Sequence, residues 1–130
     1  QQEHYSSGDI YFIQRGYAAR GIDGASAEDY CYLLSRALFS DPVAYAKALA
    51  RSTADDEAVQ ALIMGGTAYG ADYYPADCET AVSALDAAIN ANTLTAEETG
   101  WAKLLRYYLV TPSEDGSFAD YPKTPAELES

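Results

Sequence analysis

Residues 95–110, TAEETGWAKLLRYYLV, decide the fold class. Trp101, Leu104, Leu105, Tyr108 and Leu109 fall at i, i+3, i+4, i+7 and i+8. That spacing places all five on one stripe of a 3.6-residue helix. Thr95 opens the stretch and Glu98 follows three residues later. The threonine hydroxyl accepts from the backbone N–H of the third helical residue, and the glutamate reaches back to the cap N–H. Start signal and stripe agree, so the stretch predicts an amphipathic helix that buries one face.

The same pattern extends upstream. Residues 75–92 carry Cys78, Ala81, Val82, Leu85, Ala88 and Ile89 at helical spacing, and residues 26–39 carry Tyr30, Leu33, Leu34, Ala37 and Leu38. Asp41-Pro42 reads as an N-cap followed by proline in the first turn, opening a short helix to about residue 51. Val59, Leu62, Ile63 and Gly66 mark a helix over 54–71, and Ile10, Ile13 and Tyr17 a weaker one over 9–20. Alternating strand patterns are confined to a few residues near Ile10–Ile13. The expectation is an all-α domain of about six short helices over residues 1–110. Pro112, Gly116, Pro122 and Pro125 break the pattern afterwards, so 111–130 reads as an extended, acid-rich tail. Phe118 and Tyr121 are its candidate pins against the helices.

A start motif of Ser/Thr, Ala, acid, acid occurs at Ser26-Ala27-Glu28-Asp29, Thr53-Ala54-Asp55-Asp56 and Thr95-Ala96-Glu97-Glu98. Each copy precedes an apolar stripe, which favours helix caps over metal sites. Aligning the second and third copies superposes Leu62-Ile63 on Leu104-Leu105 and Val59 on Trp101. Two architectures fit: tandem antiparallel helical hairpins forming a repeat-like array, or an irregular bundle. The chain holds 24 alanines, and Gly66 and Gly70 lie four apart on one helical face. Small residues there predict a close helix crossing or a frayed helix end.

Composition narrows function. The 130 residues carry 20 acids against 8 Lys and Arg, a formal charge of −12, and 48% are hydrophobic. That is too apolar for a disordered acidic segment and lacks the clustered cations that phosphate contacts require, so no direct nucleic-acid binding is expected. No uncharged apolar run approaches the roughly 18 residues of a membrane helix. His4 is the only histidine, which removes most Ser- or Cys-nucleophile schemes; a Cys31–His4 pair remains formally possible. One His and two Cys cannot fill a four-ligand zinc site. Asp23-Gly24 resembles the middle of a calcium loop, but Ala19, Gly21 and Tyr30 stand where ligands would be needed. No cofactor or metal is expected. Carboxylates are plentiful, and their spacing singles out no catalytic pair.

Cys31 and Cys78 are compatible with one disulfide or with two buried thiols. The sequence begins at Gln1 and its one methionine is Met64, which reads as a processed or excised start. These features suggest an extracellular or cell-surface protein, with the cytoplasm as the alternative.

Between positions 52 and 102 there are nine acids and no base. The chain also has 12 tyrosines, clustered at Tyr69, Tyr73-Tyr74 and Tyr107-Tyr108. Tyrosine supplies contact area at low entropy cost with a polar tip. The expected function is a non-catalytic module that binds a basic protein partner through Tyr69, Asp72, Tyr73, Tyr74 and Asp77, with Asp55, Asp56 and Glu57 adding charge. The alternatives are an acidic inhibitor that imitates nucleic acid, and a carboxylate-based hydrolase.

Overall fold

A computed structural model of the chain describes residues 7–20, 24–51, 57–111, 118 and 120–129. Among these the fold is all-α. Its helices are α1 (Ser7–Arg20), α2 (Gly24–Ser40), α3 (Pro42–Arg51), α4 (Glu57–Ala71), α5 (Pro75–Ala91), α6 (Ala96–Val110) and α7 (Pro125–Glu129).

Local chemistry sets several of the ends. Thr95 caps α6 in a complete capping box: Glu98 N donates to Thr95 Oγ1 and Thr95 N to Glu98 Oε1, both at 3.1 Å. Ala44 N donates to Asp41 Oδ1 at 3.1 Å, so Asp41 caps α3 as expected. Asn92 ends α5 with φ 61°, the left-handed conformation asparagine tolerates. The Ser26 motif is a correction: α2 begins at Gly24, so Ser26 lies inside the helix and not at its cap. The Thr53 motif lies outside the described residues.

α3 sits at the centre. Tyr45, Ala46, Ala48, Leu49 and Ala50 are buried along its ten residues, and it packs on α6, α1, α5 and α2. Tyr45 is fully buried, and its hydroxyl donates to Thr67 Oγ1 on α4, which in turn donates to Ile63 O at 2.8 Å. The chain of bonds satisfies both hydroxyls inside the core. α1 contributes Ile10 and also Gln14, whose Nε2 donates to Tyr45 O at 3.2 Å. Its inward face therefore includes a polar residue that the apolar pattern did not show.

The strongest helix–helix contact is α2 on α4. Gly70 makes it possible. A Cβ there would overlap the Cys31 carbonyl oxygen and sit 2.8 Å from the carbonyl carbon, with Ser35 Oγ at 3.2 Å. The close crossing predicted from the glycines is present, at Gly70. Of the two expected helix pairs, α5 packs on α6, whereas α4 packs mainly on α2 and α3 on α6 and α1.

The end of the chain returns to the bundle. Phe118 and Tyr121 pack on the core, Tyr108 OH donates to Pro122 O at 2.8 Å, and Lys123 Nζ holds the carbonyls of Phe118 and Tyr121 at 2.8 and 2.7 Å. The expected tail thus carries a seventh helix, with Pro125 against Gly100 of α6. Prolines 122 and 125 break a continuing helix, yet proline at a first turn also starts one.

No disulfide joins Cys31 and Cys78; both are thiols, which corrects the bridged alternative. Cys31 is buried at the α2–α4 crossing, whereas Cys78 Sγ lies 3.2 Å from Ala71 O on the far side of the α4–α5 turn. Each is held in different packing. Alkylation after unfolding without reductant will add two groups to the intact mass; addition of none would restore the bridge.

Gly70→Ala should lose at least about 2 kcal/mol, because two helix backbones must separate. Gly65→Ala places its Cβ 3.7 Å from Phe118, an ordinary contact, and should be neutral or gain up to about 1 kcal/mol of helix propensity. Denaturant melts of the two variants check the contrast; equal midpoints would contradict it. Tyr45→Phe should cost about 1–2 kcal/mol, by removing the donor to Thr67.

Candidate functional site

α4 ends at Ala71 and α5 starts at Pro75, so the chain reverses within three residues. Asp72 N donates to Ala68 O at 3.0 Å and Tyr74 N to Ala71 O at 2.9 Å, which closes the turn. Pro75 provides the fixed φ for the first turn of α5. The turn is too short to fold its own side chains inward, and Tyr73 and Tyr74 remain 54% and 42% exposed.

Rings from α2 hold them in place. Tyr73 meets Tyr32 edge-on at 5.6 Å and Tyr69 at 6.0 Å, with the latter pair nearly perpendicular. Tyr74 meets Phe39 at 6.1 Å. Such pairs contribute roughly 0.5–1.5 kcal/mol each beyond area burial. The exposed rings are therefore supported on one side and open on the other.

Beside the turn lies a groove of about 810 Å³. Tyr69, Asp72 and Tyr73 form one wall from α4 and the turn. Cys78, Glu79 and Val82 line it from α5, and Tyr108, Leu109 and Val110 from α6, with Phe118 at its edge. The groove joins two aromatic groups separated by nearly forty positions in sequence. Its described lining includes two carboxylates and no Lys, Arg or His.

The expected partner-binding residues divide in four. Tyr69, Asp72 and Tyr73 line the groove. Tyr74 and Asp77 are exposed next to it without lining it. Glu57 is the first residue of α4, at the end opposite the groove, about 20 Å away along the helix axis. Asp55 and Asp56 lie outside the described residues. Glu79, Val82 and the α6 wall were missed by sequence reasoning. Val110, at the end of α6, is 46% exposed.

The field in the groove is negative. Burial raises the Cys78 thiol above its ordinary pKa, and the charges of Asp72 and Asp77 raise it further. Near neutral pH Cys78 is a protonated thiol and a weak nucleophile. Tyr108 is pushed up to about 12, first by burial and then by Glu127, Tyr121 and Tyr107. Among the described residues no three His, Cys, Asp or Glu side chains gather as a metal site, and no helix is long and apolar enough to cross a membrane.

No family model matches the sequence, and no curated protein or solved structure shows significant similarity to it.

Cys78 should alkylate at pH 8 more slowly than an unhindered cysteine. The double variant Asp72→Asn/Asp77→Asn should react roughly twofold faster or more, since part of the thiolate's penalty is removed. Peptide mapping of the labelled protein reads both rates, and identical rates would show that these carboxylates do not act on the thiol. Tyr108 provides a second check. Unfolded tyrosine ionises near pH 10, so between about pH 10 and 12 the unfolded state releases a proton that the folded state retains. Stability should fall as pH rises through that window, and Tyr108→Phe should flatten the fall.

Proposed function

We propose that this chain is a non-catalytic helical interaction module whose tyrosine-lined groove between α4, α5 and α6 docks a basic segment of a partner protein. The observation that carries the reading is the groove wall itself. Tyr73 stands 54% exposed beside Asp72, over a concave apolar floor with no cation among its described lining residues. Soluble domains seldom leave large rings in water around a concave apolar surface unless something covers it. Tyrosine is also among the residues that dominate binding energy at interface centres.

Electrostatics supports a basic partner. The net charge of −12 attracts cations at long range and speeds encounter. Asp72 and Glu79 then act at short range inside the groove. The nucleic-acid-mimic reading draws less support, because several acids have other work. Glu98 completes the α6 cap, Asp41 caps α3, and Asp86 pairs with Arg106 at 2.6 Å. The hydrolase reading keeps one supporting observation, that Asp72 and Glu79 both line one groove. Both are exposed, and a general acid in glycoside hydrolysis needs one carboxyl withdrawn from water.

Selection of a random displayed-peptide library against the folded chain tests the reading. The expected peptides combine Lys or Arg with aliphatic or aromatic residues. Their affinity should fall as salt rises and drop about tenfold in Tyr73→Ala, an exposed position whose loss leaves the fold intact. Selected peptides that bind Tyr73→Ala and Asp72→Asn/Glu79→Gln as tightly as the parent would overturn it.

A further inference from the structure

We infer that the groove is built to receive an arginine side chain as the anchor of its partner, an inference that rests on the docking role proposed above. Three features converge on a planar cation. Tyr69 and Tyr73, with centroids 6.0 Å apart and rings at 78° to one another, both line the groove and supply its aromatic surface. Asp72 precedes Tyr73 directly, and Glu79 faces the same space from α5. Ala68, Ala71 and Val82 complete an apolar floor along which an aliphatic stem can lie.

A guanidinium uses all three. It stacks on an aromatic face, forks onto a carboxylate through parallel N–H donors, and sheds its water more readily than an ammonium. A lysine offers a point charge that stays strongly hydrated, so it would gain from the carboxylates and little from the rings. Burial is the main cause of the raised Cys78 pKa, but the Asp72 and Asp77 charges that add to it would favour a cation in the same place. Two of the molecule's own cations are engaged elsewhere. Arg106 pairs with Asp86, and Lys123 holds two backbone carbonyls. The chain already contains the same contact within its fold, where Arg51 lies over the Tyr11 ring at 4.2 Å.

The test titrates the full chain with N-acetyl-arginine methylamide, followed by backbone amide shifts. Parallel titrations use the lysine, citrulline and leucine methylamides. Saturable shifts confined to residues 68–83 and 108–111 are expected for arginine. Binding should be weaker by about threefold or more for lysine, and absent for citrulline, which keeps the shape and loses the charge. Tyr73→Leu and Asp72→Asn/Glu79→Gln should each remove the arginine shifts while other resonances stay in place. Equal affinity for arginine and lysine would overturn the anchor, as would equal shifts with citrulline. Arginine shifts spread over distant acids such as Asp41, Glu97 and Glu129 would overturn it too. If library-selected peptides bind the groove without an arginine, the anchor fails and the docking role stands. If no peptide binds the groove, both fail.

Discussion

The rest of the structure depends on the absence of a side chain at Gly70. There the backbone of α4 rests directly on the Cys31 carbonyl of α2. This closeness brings the end of α4 down to α2 and sets the place where the chain must reverse. Tyr32 and Phe39 of α2 then stand beneath the turn and support Tyr73 and Tyr74 from below. The same crossing aligns Thr67 with the hydroxyl of Tyr45 on the central helix. One backbone contact thus links core packing to the presentation of two exposed rings.

The charge divides according to position. Asp41 and Glu98 stabilise helix starts, where the backbone N–H groups need acceptors. Asp86 pairs with Arg106 between α5 and α6, with both side chains 41% exposed, so the pair contributes at most about 1 kcal/mol. Asp77 lies in the first turn of α5, where a negative charge suits the helix start, whereas neither Asp72 nor Glu79 caps a helix or pairs across helices among the described contacts. All three lie at or just after the α4–α5 turn, and the charges of Asp72 and Asp77 reach Cys78. A uniformly acidic composition therefore resolves into helix caps, one interhelical pair and one cluster beside a concave aromatic surface.

Much of the fold was legible because helical spacing is a local signal. Trp101, Leu104, Leu105 and Tyr108 were readable as a buried stripe and are buried. Helix pairing was not legible, since the contact between α2 and α4 depends on where distant segments meet. The repeated start motif suggested paired helices, of which α5 and α6 are in contact while α3 and α4 pack mainly on other helices, and its Ser26 copy falls inside a helix. α7 was hidden because proline both stops and starts helices. For the site, the tyrosine turn was visible as a cluster in sequence. Its other walls were not, because Val82, Val110 and Phe118 join it only through tertiary packing. Glu57 shows the reverse error: near the tyrosines in sequence class, it sits one helix length away.

The groove beside the Gly70 crossing is proposed as the surface that meets a partner. Amide hydrogen exchange with and without a saturating library-selected peptide tests it most directly. The account predicts added protection confined to residues 68–83 and 108–111, with exchange in α1 and α3 unchanged. Protection concentrated on α1 and α3, with none at the α4–α5 turn, would contradict it.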